Sequence, residues 1–521
     1  MKNKTFIMLF STVLGAWLSV WQSDLCHAAQ MGNEKRQTTT DHSKHKVLQQ
    51  EFSTGDDITK ACLSCHTETD SQFHKTIHWT WIAEEGEKQL GKGGDSLNNY
   101  CISSNKMNDK GCSKCHTGWN AKEGEVNCLL CHSQKEVNWD ETFEDFRFFK
   151  EEGDDESKAL AAELQGNIHK AVTDIGLPTR KNCGSCHFFG GGGDGVKHGD
   201  LDSSLTHPDK MLDVHMGTNG GNFTCFRCHS GKLHNIPGRI YSQKAYEDRR
   251  SLVEDDTISK ITCESCHTAT PHKENAKMND HTDKVACQAC HIPDFARVNP
   301  TKMSWDWSKS GRLKDGKPYK TKGPYDKENY LSIKGEMKWE KNVKPEYFWF
   351  NGSMSSLTTK DVIDPSTTVA VSQPNGNIND PDSRIFPFKI HHGVQPYDLE
   401  YKTLLAPLLS GKDGYWTTLD WQNALQKGMD FSGVPFSGKF DFVKSTFAYP
   451  TTHMVMPKAN ALACTECHVR TNSRLASFGE LYMPGRDYYK EIDFGGWILV
   501  FGAFAGILLH GTLRFFSGKR K

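Results

Sequence analysis

Cys112-Ser-Lys-Cys115-His116, followed after 11 residues by Cys128-Leu-Leu-Cys131-His132, shows twice over the pattern that governs this chain. The same Cys-x-x-Cys-His unit recurs at Cys62, Cys65 and His66, at Cys183, Cys186 and His187, and at Cys225, Cys228 and His229. Further copies lie at Cys263, Cys266 and His267, at Cys287, Cys290 and His291, and at Cys464, Cys467 and His468, eight in all. The unit is the attachment signal for c-type haem. Its two thiols form thioethers with the porphyrin vinyl groups, and the adjacent His binds the iron from one side. A single copy would also suit zinc or a thioredoxin-like thiol pair. Eight copies, each ending in His, set those readings aside.

Composition agrees. Of 18 Cys the motifs use 16, leaving Cys26 and Cys101. Only 36% of the 521 residues are hydrophobic, and the mean hydropathy is -0.63. Each porphyrin is a large apolar plate, so eight of them replace much of the side-chain core that burial would otherwise need. A formal net charge of -1 gives no footing for nucleic acid.

Both ends carry targeting signals. Lys2 and Lys4 precede an apolar stretch from Phe6 to Val20, and Ala28 and Ala29 offer small residues for cleavage. Cleavage there removes Cys26 and leaves Cys101 as an odd thiol in an oxidising compartment. Near the other end, Gly495 to Phe516 is apolar and long enough to span a bilayer. Lys519, Arg520 and Lys521 follow at once, so the tail is expected in the cytoplasm. The body then faces the periplasm as a single-pass anchored protein, in agreement with the leader.

The expected organisation is a signal peptide at 1–29, a flexible segment at 30–55 and a haem region at 56–299 with seven motifs. A Cys-free, loop-rich insertion at 300–450 is expected to wrap the haem core with short strands. The eighth motif lies in 451–490, the membrane helix at 495–516 and the basic tail at 517–521. The short tethers between motifs two and three, and between six and seven, predict close porphyrin pairs. Acidic Glu141 to Gln165 predicts a helix. The fold class is therefore mainly α with much irregular structure: short helices around haems, no large sheet, and one C-terminal transmembrane helix.

Of 24 His, eight belong to motifs. His27 leaves with the leader, His42 and His45 lie in the flexible segment, and His510 lies in the span. The remainder are His74, His78, His169, His198, His207, His215, His234, His272, His281, His391, His392 and His453. Candidate distal ligands among them are His78, His169, His198, His215, His234, His272, His281, His392 and His453, enough for bis-His ligation of most haems. Such irons suit electron transfer, and catalysis needs one that is ligated otherwise. The Gly-rich run Gly190 to Gly193 lets backbone approach a porphyrin closely. Beyond it stands Lys197, whose neutral amine can bind iron. From spacing alone, an exposed lysine is the ordinary reading.

The chain also resembles a known family. The carriers are Thr59-Lys-Ala-Cys62-Leu-Ser-Cys65-His66, Ile77-His-Trp-Thr-Trp81 and Asn98-Asn-Tyr-Cys101. To these add Cys183-Gly-Ser-Cys186-His187-Phe-Phe-Gly190-Gly-Gly-Gly-Asp194-Gly-Val-Lys197-His-Gly-Asp-Leu-Asp202 and Asp213-Val-His-Met-Gly217. Together they resemble the octahaem tetrathionate reductase family, over residues 55–470. The resemblance implies a periplasmic enzyme related in haem arrangement to multihaem nitrite reductases and hydroxylamine oxidoreductases. It implies that the second haem, on Cys112, Cys115 and His116, is the catalytic one. Lys197 would be its distal ligand, with Asp194 and Cys101 lining the pocket, and the other seven haems would be bis-His. Tetrathionate, nitrite and hydroxylamine are the implied small inorganic substrates, with Asp194 a proton source.

The membrane tail departs from the soluble members of that family. His510 inside the span is a functional expectation in its own right: a ligand to a b-type haem shared with a membrane cytochrome b partner, or a contact to quinone. Two other classes of function stay open, a hydroxylamine-oxidising enzyme and a non-catalytic conduit to or from the quinone pool.

Overall fold

The computed structural model describes residues 40–85, 88–97, 102–103, 115–119, 125–229, 231, 233–236 and 261–518. The leader, Cys101, Cys112 and the basic tail at 519–521 lie outside the described residues. The chain forms two compact units, one ending at Ala461 and one running from Leu462.

In the first unit the motifs sit on short helical turns, such as Leu129–His132, Glu264–His267 and Cys287–His291. The expected helix around Glu141 is two helices, Trp139–Glu152 and Asp155–Thr173, separated at Gly153. Trp139, Phe143, Ile168, Ala171 and Val172 on their inner faces pack with Ile58, Ala61 and Leu129 of the first and third motif segments. The segment expected to be a flexible arm joins this cluster. Residues 42–44 and 46–48 form tight turns, and Leu48 and Phe52 are buried in it.

The expectation of a loop-rich stretch without a large sheet is overturned. Strands β1 (Ala83–Glu85) and β2 (Lys88–Leu90) form a small hairpin. Between residues 301 and 450 follow β3 (Thr301–Asp306), β4 (Leu313–Lys314), β5 (Lys317–Pro318), β6 (Lys320–Lys322), β7 (Glu328–Leu331) and β8 (Gly335–Glu340). Then come β9 (Glu346–Phe350), β10 (Met354–Ser356), β11 (Val369–Pro374), β12 (Arg384–Asp398) and β13 (Phe440–Pro450). Among the described residues nine of these make one sheet in the order β10-β11-β13-β12-β3-β8-β7-β6, with β9 pairing the start of β12. The axis is the long antiparallel pair β12–β13, in register from Phe388 opposite Pro450 to Asp398 opposite Phe440. β12 is buried along nearly its whole length, so it lacks the in–out alternation that marks a half-exposed strand. Pro387 and Pro396 inside it also read as breakers.

The sheet has its own apolar core. Helix Trp421–Ser432 turns Ala424, Leu425 and Met429 onto Leu404, Leu405, Ala406, Leu409 and Phe447. The second unit holds the eighth motif, on the short turn Cys464–Glu466, and the α-helix Lys490–Gly518. That helix is longer at both ends than the expected 495–516, and long and apolar enough to cross a bilayer.

Candidate haem sites and the Lys197 loop

Fifteen of the motif cysteines are described, and all are free of disulfides. Their thiols meet across motifs: Cys62 touches Cys128, Cys115 touches Cys186, Cys183 touches Cys225 and Cys263 touches Cys287. Motifs one and three, two and four, four and five, and six and seven are therefore neighbours. The close pairing expected of motifs six and seven has this geometry. Cys115 of motif two meets motif four.

Six motif histidines face a second imidazole. Two imidazoles on opposite sides of one metal, with bonds of about 2 Å each, have ring centroids roughly 6 Å apart. Centroids are 6.4 Å apart for His66 and His42, 6.5 Å for His132 and His234, and 6.2 Å for His187 and His78. They are 6.2 Å apart for His229 and His453, 5.9 Å for His267 and His215, and 6.4 Å for His291 and His272. The residues present thus fit iron held between imidazoles beside paired thiols. His42, placed in the arm by its sequence context, belongs to this set. Its only signal was the pair of apolar residues, Leu48 and Phe52, that seat the arm.

The other candidates are placed differently. His169 donates to the Gln50 carbonyl at 2.7 Å and ties the arm to a helix. His281 has its Nδ1 2.9 Å from the Lys277 carbonyl. His392 is exposed on β12, and His198 packs edge-on to Tyr449 at 5.3 Å.

At the second motif, His116 meets two indoles rather than an imidazole, Trp79 and Trp81, each with centroids 5.0 Å away. Its Nε2 lies 3.0 Å from the Trp79 carbonyl. The turn Ile77–Thr80 therefore serves two motifs, sending His78 to motif four and Trp79 to motif two. Lys92 lies over the Trp81 ring at 5.4 Å. It is also close enough to Lys197 to disfavour the latter's charge.

The Lys197 loop leaves helix Arg180–His187, which Thr179 and Asn182 cap reciprocally. Lys197 N–H donates to the Gly190 carbonyl at 3.2 Å, closing the Gly-rich turn. Two strands bolt the loop down. Thr301 of β3 donates to Gly195 O at 2.7 Å, and Lys389 of β12 donates to Val196 O at 2.8 Å and Lys197 O at 3.1 Å. Gly199 is required where it stands, since a Cβ there would lie 2.3 Å from the Phe295 ring. The Lys197 amine rests over Tyr449 of β13, 5.6 Å from its centroid. Burial, with Lys92 nearby, pushes its pKa down to about 8, so the neutral, iron-binding form is within reach near neutral pH.

Asp194 is engaged within its own loop. Its carboxylate accepts from Ser203 N at 2.8 Å and from Asn299 Nδ2 at 3.2 Å. As placed, it caps a turn. Asp200, buried, accepts from the backbone of Thr452 and His453 and lies 3.4 Å from His453 Nδ1. Burial alone would raise its pKa, but His453 holds it down at about 2. A carboxylate behind an imidazole fixes its tautomer and raises its basicity as a ligand. Lys389, Tyr449 and His453 come from far along the chain, and nothing local in sequence announces their meeting with residues 197–200.

The comparisons fit this arrangement. The family described as bacterial cytochrome c matches residues 302–471. An uncharacterized protein of Archaeoglobus fulgidus is 25% identical over 242 residues, 38% of this chain and 80% of that one. The crystal structure of octaheme cytochrome c from Shewanella oneidensis is 36% identical, with a TM-score of 0.70 over 85% of this chain and 97% of that one. Covalently attached c-type haem and multihaem redox chemistry follow, and the chain belongs to the octahaem cytochrome c family.

Proposed function

We propose that the chain carries eight c-type haems and reduces a sulfur or nitrogen oxyanion, or hydroxylamine, at the haem held by Cys112, Cys115 and His116. Lys197 would hold that haem's iron together with His116. Bound haem supplies the redox-active iron. The protein's part is to hold the neutral lysine amine ready, fixed by Thr301 and Lys389 and shielded by Tyr449. His42, His78, His215, His234, His272 and His453 complete six of the other haems. The observation that carries this reading is the contrast between those six imidazole pairs and His116, which meets the indoles Trp79 and Trp81, the latter under Lys92.

Tetrathionate needs only electrons for reductive cleavage of its central S–S bond, whereas nitrite and hydroxylamine also need protons. Asp194 is engaged by Ser203 and Asn299. Electrons come from a quinone-linked membrane partner, and the body lies on the periplasmic side of the cytoplasmic membrane.

The test is EPR and resonance Raman of the holoprotein beside Lys197→Ala, with and without tetrathionate, nitrite and hydroxylamine. One non-bis-His centre that changes in the variant and responds to a ligand is expected. Identical spectra from both proteins, all bis-His, would overturn the reading and leave a conduit.

A further inference from the structure

The second unit joins the eighth motif to the apolar helix with little slack. His468 Nδ1 lies 2.7 Å from the Pro484 carbonyl. Gly485, at φ +85°, presses against the His468 carbonyl so closely that a Cβ would approach it to 2.9 Å. Leu475, Phe478 and Met483 make a small buried core beneath. Arg486 ties the returning chain together, donating to Phe478 O at 2.7 Å and to Asp487 at 2.6 Å, while Asp487 accepts from Met483 N at 2.8 Å. The helix begins three residues later, at Lys490.

The helix itself sets a depth. At about 1.5 Å per residue its 29 residues exceed a hydrocarbon layer of about 30 Å. Phe494 to Leu513 contains no Asp, Glu, Lys or Arg and matches that layer, so the first turn, through Asp493, stands at headgroup level. Arg470, two residues past His468, lies 3.8 Å from Asp493 and stacks over Tyr488 at 4.5 Å. Tyr482 and Tyr489 stack beside them at 5.6 Å. All three tyrosines are about half exposed, and Ile492, Phe494 and Trp497 continue the surface onto the helix. Exposed tyrosines flanking an apolar span, with an arginine stacked on one of them, are the composition of a membrane interface.

We propose that Arg470, Tyr482, Tyr488 and Tyr489 form a seat for the bilayer headgroup layer that holds the eighth motif at the membrane surface. This goes beyond anchoring, because a tether alone would leave the motif free in solution. It rests on the reading of Lys490–Gly518 as a membrane span. Such a seat brings the eighth motif within reach of a reductant confined to the lipid.

The experiment uses the full-length holoprotein in vesicles of phosphatidylcholine and phosphatidylglycerol. It is compared with a Tyr488→Ser, Tyr489→Ser variant and with a chain carrying a flexible Gly-Ser insertion between Tyr489 and Lys490. Flotation reports anchoring, and hydrogen–deuterium exchange of residues 469–489 reports seating. The native chain is expected to float and to exchange several-fold more slowly there than the anchor-free chain in solution. Both altered chains should float equally, keep the native visible spectrum and return to the solution rate. Exchange in the floating native chain as fast as in solution, or as fast as in the inserted chain, would overturn the seat while leaving the anchor intact. A full-length chain that does not float removes the anchor and the seat together.

Discussion

Around the sheet, Trp305, Trp307, Phe447 and Tyr449 share one apolar core with Leu404, Leu405 and Leu425. Around motifs four to six the buried groups include Arg180, Asp200 and Asp213, each directed at backbone. Arg180 donates to Met216 O at 2.6 Å and Phe223 O at 2.9 Å. Asp213 accepts from His215 N and Met216 N on one oxygen and from Met454 N and Val455 N on the other. One region is held by apolar side chains against each other. The other is loops tied end to end by charged groups around a small apolar cluster of Phe188, Leu205, Leu212, Met216 and Met454. Porphyrin plates supply the further apolar surface, so the polypeptide between them needs only the right ligand positions and hydrogen bonds for its backbone. The sheet in turn does not bear the paired histidines. It braces the loop that carries Lys197.

The sharpest way to break this contrast is to withhold haem. In chain made without haem attachment, amide exchange should stay slow in β11, β12 and β13 and rise most across residues 179–229 and 261–299. The loss of protection in the motif region should be the largest effect any single manipulation produces. Equal protection in both regions would show that the motif loops carry a core of their own.

Single substitutions should divide along the same line. Phe447 is buried in the sheet core, and Phe447→Ala should cost about 3–5 kcal/mol, as large-to-small changes do in packed interiors. Phe52 is as deeply buried, but it sits where the arm meets helix Asp155–Thr173. The arm can detach without unfolding the rest, so Phe52→Ala should cost less global stability. It should instead loosen His42 from its place 6.4 Å from His66 and change the axial-ligand signature of that one centre. Thermal unfolding followed by circular dichroism, with EPR on the same samples, separates the two outcomes. A large loss of melting temperature with an unchanged EPR spectrum in Phe52→Ala would refute the division.

What was legible in the sequence follows from how local each signal is. Cys-x-x-Cys-His is complete within five residues, so its chemistry can be read directly. The Gly-rich loop and Lys197 are also local, which is why a resemblance could single them out. The sheet was hidden because β12 is buried on both faces and contains two prolines, so neither alternation nor an unbroken strand pattern appears. Most histidine pairings were hidden for another reason. His453 meets His229, and Lys389 meets the Lys197 loop, across separations that only the finished topology spans. His42 was misjudged because a polar segment reads as loose until the burial of Leu48 and Phe52 is seen.

The mildest predicted effect tests whether the sheet's closing loop depends on charge as the motif loops do. Asp398 ends β12 fully buried. It accepts from Glu400 N and Tyr401 N at 2.8 Å each, from Ser437 Oγ at 2.9 Å and from Ser437 N at 2.7 Å. Burial alone would raise its pKa, but these donors outweigh burial and hold it below the ordinary carboxylate value. A carboxylate with a depressed folded pKa contributes stability that is fully present above its unfolded value, near 4. That contribution is lost as pH falls through the lower folded value. Asp398→Asn keeps the shape but turns one acceptor into a donor facing N–H groups, at about 1–3 kcal/mol at neutral pH. Melting temperature measured from neutral pH into acid should therefore fall less steeply in the variant, and the two curves should converge below pH 4. Parallel curves across the whole range would show that the loop is held by packing, as the rest of the sheet is, and that buried charge organises the motif region alone.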